Sequence, residues 1–169
     1  LYYLKRAGCT KIQIGLESGN DGIRKNILNR HMSNEEFVKS VNLAKKMGFQ
    51  IFTFNLIGIP DEKPSDILDT IKLNAMIEQD STQVSILYPF PKTGIYNYAK
   101  SRNYISEKKL VDSIIDDTKL EFPSLNRIQI LTYRGYFVSF VRLYRKIYKL
   151  GFGSKSIEKI ADWILSSNI

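Results

Sequence analysis

Two polar residues in this 169-residue chain occupy surroundings that ask for an explanation, Glu17 and Asn55. Glu17 closes the run KIQIGLE (Lys11 to Glu17) and stands within GLESG. A carboxylate at the end of a buried strand is costly unless it is paired or hydrogen-bonded. Either it accepts hydrogen bonds from a ligand amine or hydroxyl, or it forms a salt bridge with Arg24, Lys25 or Arg30. Asn55 interrupts an otherwise apolar run three residues before Gly58. A buried amide wants up to about four partners, and a core polar network or a bound ligand would each supply them. Gly15 and Gly58 allow a backbone to approach a ligand closely, and each also suits a bulge or tight packing.

Other chemistry is thinly represented. The single cysteine, Cys9, excludes a disulfide framework and makes a reducing cytoplasm the expected compartment. One cysteine cannot hold zinc or an iron–sulfur cluster, which take about four ligands; a small buried apolar role suits it better. The sole histidine, His31, follows Arg30 in a polar loop and is expected to be solvated. GxGxxG, Walker, HExxH and serine-triad patterns are absent from the sequence, which removes the support for nucleotide hydrolysis or zinc proteolysis. No apolar run is long enough for a membrane span.

Three strand–helix units must carry the polar residues. Lys11–Glu17 reads as the first strand. Ser33 and Glu36 have capping-box spacing before a helix through Phe37, Val38, Val41, Leu43, Ala44 and Met47, stopped by Gly48. The second strand, Phe49–Ile57, is apolar on successive positions, as when both faces are buried. Pro64 suits a first helical position, and Ile67, Leu68, Ile71, Leu73, Ala75, Met76 and Ile77 would be the buried face. A third strand, Gln83–Leu87, precedes a short helix at Gly94–Arg102. Strand starts near 11, 49 and 83 give the repeat of a parallel α/β sheet. Sites in such folds sit where strands hand over to helices. Three units are too few to close an eight-unit barrel, so the fold expected is the C-terminal half of a partial (βα) TIM-type barrel. The opening LYYLKRAGC reads as the end of a helix, so the chain is expected to start mid-protein.

Beyond residue 105 the character changes, and residues 106–169 are expected to form a separate α-helical extension. Residues 121–169 hold 8 Lys or Arg and 3 Asp or Glu, so most of the net charge of +8 lies there. Lys108–Asp117 reads as a charged helix or linker. Asn126–Leu150 reads as a long helix with an aromatic face of Tyr133, Tyr136, Phe137, Phe140, Tyr144 and Tyr148, and a last helix with Trp163 follows GFGS. The basic, aromatic character leaves three roles open: packing on the barrel, binding nucleic acid, or lying on a membrane surface.

In register, IGLESGND, NRHMSNEEF, LIGIPDEKPSDILDTI and ILYPFPKTGIY resemble the later half of a radical S-adenosylmethionine (radical SAM) enzyme core, over about residues 1–105. The resemblance implies strands four to six of that barrel and a cofactor-binding set of Glu17, Ser18, Arg30, Asn55, Ile57 and Leu87. Glu17 and Ser18 would lie beside the methionine and ribose parts of S-adenosylmethionine, and Arg30 would reach its carboxylate with a guanidinium fork. Asn55 stands where some members have an Asp on the ribose, and Ile57 and Leu87 would line the adenine. Glu62 matches the acid after the family's G-x-P turn. The resemblance further implies a [4Fe–4S] cluster, an electron donor, and reductive cleavage of S-adenosylmethionine to a 5′-deoxyadenosyl radical acting on a substrate the sequence does not name. The family's CxxxCxxC loop and glycine-rich segment are not in this chain and are expected upstream. Without them the chain would be a half-barrel with no catalysis of its own. The tail from Leu120 is similar to extensions of the cobalamin-associated branch, which brings cobalamin in as a further cofactor, although no cobalamin-binding motif is present.

Overall fold

A computed structural model describes residues 1–106, 117–151 and 153–167. The elements run α1 (Tyr2–Arg6), β1 (Lys11–Glu17), α2 (Asp21–Asn26), α3 (Asn34–Lys46), β2 (Gln50–Ile57), α4 (Pro64–Ile77), β3 (Ser81–Ile86), α5 (Gly94–Ser101), α6 (Arg127–Lys149) and α7 (Ser154–Ser167). The three strands form one parallel sheet in the order β1-β2-β3. The architecture is α/β with C-terminal helices, consistent with part of a barrel.

Local chemistry sets the boundaries. Ser33 and Glu36 form the expected capping box, each side chain bonding the other's backbone N–H. Pro64 opens α4, where its missing N–H costs nothing. Asn126 and Gln129 cap α6 in the same reciprocal way. The short helix α2, capped by the Asn20 side chain on Ile23 N–H, was not evident from the apolar pattern. Most of the charged segment 108–117 lies outside the described residues.

Burial in β2 corrects one expectation. Ile51, Thr53, Asn55 and Ile57 are buried, whereas Phe52, Phe54 and Leu56 between them are only half-buried. Among the described residues helices cover one face of the sheet alone, so side chains alternate between core and open face. On that open face the rings of Phe52 and Phe54 lie 4.9 Å apart. Leu43, Met76 and Tyr136, expected on buried faces, are also more than half exposed. In α3 the core takes Phe37, Val41 and Ala44, one stripe at helical spacing that leaves position 43 outside.

Two apolar clusters hold the helices to the sheet. Leu16, Phe37, Val41, Ile51 and Leu73 join β1 and β2 to α3 and α4. Ile57, Ile67, Ile71 and Ile86 pack with Tyr133, Phe137, Val141, Tyr144 and Ile147 of α6. Of the three roles open to α6, packing is the one its aromatic face performs. Its phenols find partners as buried hydroxyls should: Tyr133 donates to Leu165 O at 2.7 Å and Tyr144 to Asp162 at 2.5 Å.

Candidate functional site

The C-terminal end of β1 is built around an irregularity. Pairing with β2 runs regularly to Gly15↔Phe54 and then slips, so that Glu17 faces Asn55. Glu17 itself adopts φ of 65°, a left-handed conformation uncommon for a residue with a side chain. The bulge and this turn swing the carboxylate back over Gly15, on the open face of the sheet. A Cβ at position 15 would overlap Glu17 Oε1 and crowd Arg30 Nη1 at 3.2 Å. The glycine is therefore what lets the carboxylate lie there.

Arg30 meets that carboxylate, with Nη2 3.0 Å from Glu17 Oε1. Its Nη1 lies 3.5 Å from Gly15 O. The Arg30 side chain is half exposed and that of Glu17 is 14% exposed, so one guanidinium edge faces solvent beside a largely covered carboxylate. Burial raises the Glu17 pKa and the Arg30 charge opposes it, with burial the stronger. Of the partners open to Glu17, Arg30 is the one it takes. Two expected cofactor residues thus meet at one strand end.

The other expected residues are placed differently. Ser18 is fully buried; its hydroxyl accepts from Asn20 N–H and its carbonyl from Arg24. Asn55 is 2% exposed on the helix-facing side of β2. Its amide donates to Thr82 Oγ1 and Gln83 O at 2.8 and 2.9 Å and accepts from Asn74 at 2.8 Å. Of its two readings, this geometry is that of the core network. Replacing Asn55 by Leu should remove about 2–4 kcal/mol of stability, because Asn74 and Thr82 would be left short of partners. An unchanged urea midpoint would show the network to be dispensable. The Ile57 side chain is fully buried, and its carbonyl accepts from Leu87 N–H at 2.8 Å. Leu87 lines a groove of about 310 Å³ with Leu56, Ser85, Tyr88, Phe90 and Ile95, an apolar pocket at the end of β3. His31 is exposed, as expected of a loop residue.

Sequence reasoning missed what holds the β1 loop in place. The Arg24 side chain is completely buried. Its Nε donates to Met32 O at 2.9 Å, and Nη1 donates to Ser18 O at 2.6 Å and Asn34 Oδ1 at 2.8 Å. Its Nη2 pairs with Asp21. One guanidinium thereby ties together the start, middle and end of residues 18–34, the segment that carries Arg30. Gly19 seats this loop on α4: its N–H donates to Thr70 Oγ1 at 2.8 Å, and a Cβ would overlap the backbone of Asp69. The only sequence signal for Arg24 is its position three residues after Asp21.

The end of β2 has its own buried acid. Glu62 Oε2 accepts from Gly58 N–H at 2.6 Å and Ile59 N–H at 3.2 Å, closing the turn after the strand. Its Oε1 is buried without a partner. Burial pushes the carboxyl up to about 8, against the pull of the two amide bonds. Next to it Asp61 (φ 65°) accepts from the Tyr98 and Tyr104 hydroxyls at 2.5 and 2.8 Å and lies 3.4 Å from Arg102. Burial works to raise its pKa, but these three partners hold it below the ordinary value.

Comparison with known proteins bears on the family. Residues 1–73 match the family model of the Radical SAM superfamily. An uncharacterized methyltransferase of Pyrococcus horikoshii is 28% identical over 102 residues, covering 60% of this chain and 22% of that protein. The chain thus spans about a fifth of the length of the curated relative it matches. The resemblance drawn from IGLESGND and the segments after it agrees with both findings.

Proposed function

We propose that this chain contributes one wall of the S-adenosylmethionine site in a radical SAM enzyme. The observation that carries the reading is the Glu17–Arg30 pair lying over Gly15 at the end of β1, on the open face of the sheet. The match over residues 1–73 supports it.

The residues fit the amino-acid end of that cofactor. Arg30 offers donors to a carboxylate in a fork that suits its geometry. Glu17 offers an acceptor to an ammonium or a ribose hydroxyl, already oriented by Arg30 and shielded on one side. The apolar groove beside Leu87 suits the flat face of a nucleobase. When bound, the cofactor supplies radical chemistry through reductive cleavage of a carbon–sulfur bond. The chain's own task is to bind and orient it. The cluster is a different matter: among the described residues no group of three His, Cys, Asp or Glu is disposed to hold a metal. We place its ligands in sequence outside this chain, and no step is derived through it. The relative's name makes methyl transfer the first outcome to test. Nucleic-acid binding through α6 is not favoured, because Tyr133, Phe137 and Tyr144 are spent in the core.

The test is S-adenosylmethionine binding by the full-length protein containing this chain, measured anaerobically by equilibrium dialysis. Arg30→Ala or Glu17→Gln should each weaken binding about 10- to 100-fold, the scale of one charge-assisted hydrogen bond. Affinity unchanged in both variants would contradict the assignment.

A further inference from the structure

Helix α7 sorts its side chains by sign and polarity. Both of its acids turn inward. Asp162 accepts from Tyr144 at 2.5 Å and from Lys72 at 3.1 Å. Glu158 lies 3.3 Å from the Tyr148 hydroxyl and 4.0 Å from Lys72 Nζ. Both of its lysines, Lys155 and Lys159, are exposed. So are Ile157, Ile160, Trp163 and Ile164, at 42, 59, 66 and 46%. Positions 157, 160 and 164 form one stripe at helical spacing, and Trp163 stands one turn beyond Lys159 at its border. Neighbouring α6 contains six Lys or Arg and no acid, with Arg142 and Lys146 exposed.

The outward side of α7 therefore presents cations and bulky apolar groups together, while its two acids are turned toward Lys72 and the Tyr144 and Tyr148 hydroxyls and remain about a third exposed. Scattered apolar side chains on a surface need no explanation, but a continuous stripe bordered by one sign of charge does. We propose that α7 docks the protein on an anionic lipid bilayer. It would lie in the plane of the interface, with Ile157, Ile160, Trp163 and Ile164 at the boundary of headgroups and acyl chains, and Lys155 and Lys159 among the headgroup phosphates. The aliphatic stripe favours a bilayer over RNA, since single-stranded nucleic acid is gripped by flat rings and Trp163 is the one ring on this face. Among the described residues no helix is long and apolar enough to cross a membrane, and the docking proposed for α7 is in the plane of the interface.

Trp163 is the sole tryptophan of these 169 residues, and the emission lost in Trp163→Phe reports on the docking. That emission is followed while the full-length protein containing this chain is titrated with vesicles of equal parts phosphatidylglycerol and phosphatidylcholine, and separately with pure phosphatidylcholine. The expected result is a blue shift and co-sedimentation with the anionic vesicles, weakened by salt and much smaller with the neutral ones. Lys155→Gln with Lys159→Gln, both at exposed positions, should lower partitioning about 25-fold, from about fivefold per lysine. Ile160→Ser with Ile164→Ser should abolish the shift while the circular dichroism stays unchanged. Three results would overturn the proposal. The first is no shift and no sedimentation with anionic vesicles. The second is a concentration-dependent blue shift in buffer alone, which would assign the face to a second copy. The third is salt-sensitive binding of RNA without vesicle binding.

Discussion

Replacing Arg24 by Met is expected to lower the free energy of unfolding by about 3–5 kcal/mol, a large part of the stability of an ordinary domain. The apolar substitute roughly fills the volume but leaves Ser18 O, Met32 O and Asn34 without the donor they share. Asp21 would lose its partner as well. Arg24→Lys should recover little of this, because an ammonium cannot reproduce three donors held in a plane. Urea denaturation followed by circular dichroism checks both variants. A loss below about 1 kcal/mol for Arg24→Met would show that the loop of residues 18–34 is held by other contacts. The same guanidinium fixes the segment bearing Arg30, whose own N–H bonds Arg24 O at 2.9 Å. Loss of stability and loss of cofactor affinity should therefore travel together at position 24, whereas at Arg30 affinity should fall alone.

Glu62 is expected to make the protein less stable as pH rises from mildly acidic to mildly alkaline. Its carboxyl titrates near 8 when folded, against an ordinary value of 4.5. The folded state therefore binds more protons than the unfolded chain throughout that window. Its contribution is fully present below about 4.5 and is lost as pH climbs through about 8. At about 1.4 kcal/mol per pH unit the loss is on the order of 5 kcal/mol. Glu17 and Asp69, whose pKa values burial also raises, add the same sign of dependence, so the diagnostic quantity is the difference from a variant. Glu62→Gln keeps the acceptor for Gly58 and Ile59 N–H and cannot ionise. Its unfolding free energy, measured at several pH values between 5 and 9, should lack most of the slope seen in the parent. Equal slopes in the two proteins would mean that Glu62 is charged or solvated in the fold.

What could be read in the sequence divides along physical lines. Local rules were legible: Ser33 with Glu36, Pro64 at the head of α4 and the length of α6 all follow from hydrogen bonds within a few residues. The parallel three-stranded sheet followed from the repeat of strand and helix. Facing was harder. Phe49–Ile57 carries apolar residues at both odd and even positions, so nothing in it says that Phe52 and Phe54 lie on a face no described helix covers. Asn55 could equally have pointed to a ligand or to Asn74, since a strand's parity is fixed only by what packs against it. The bulge at Gly15–Glu17 was legible only as one of the uses open to Gly15: it depends on the pairing of β1 with β2 and gives Glu17 a backbone conformation that its residue type disfavours. Arg24 stayed hidden because two of its four acceptors are main-chain carbonyls, which carry no residue signature. Arg30, by contrast, was legible both as one of three salt-bridge partners open to Glu17 and in the family pattern, and it took its place beside Glu17.

The most direct test of the assignment lies at Gly15. Alanine there is expected to leave the fold intact, because what its methyl group would displace is the far end of the Glu17 side chain rather than backbone. The account predicts that Gly15→Ala in the full-length protein unfolds at the parent's urea midpoint, yet binds S-adenosylmethionine at least about tenfold more weakly, as Glu17→Gln and Arg30→Ala do. Parent-like affinity in Gly15→Ala, with the Glu17–Arg30 pair shown to be displaced, would contradict the claim that this pair holds the cofactor.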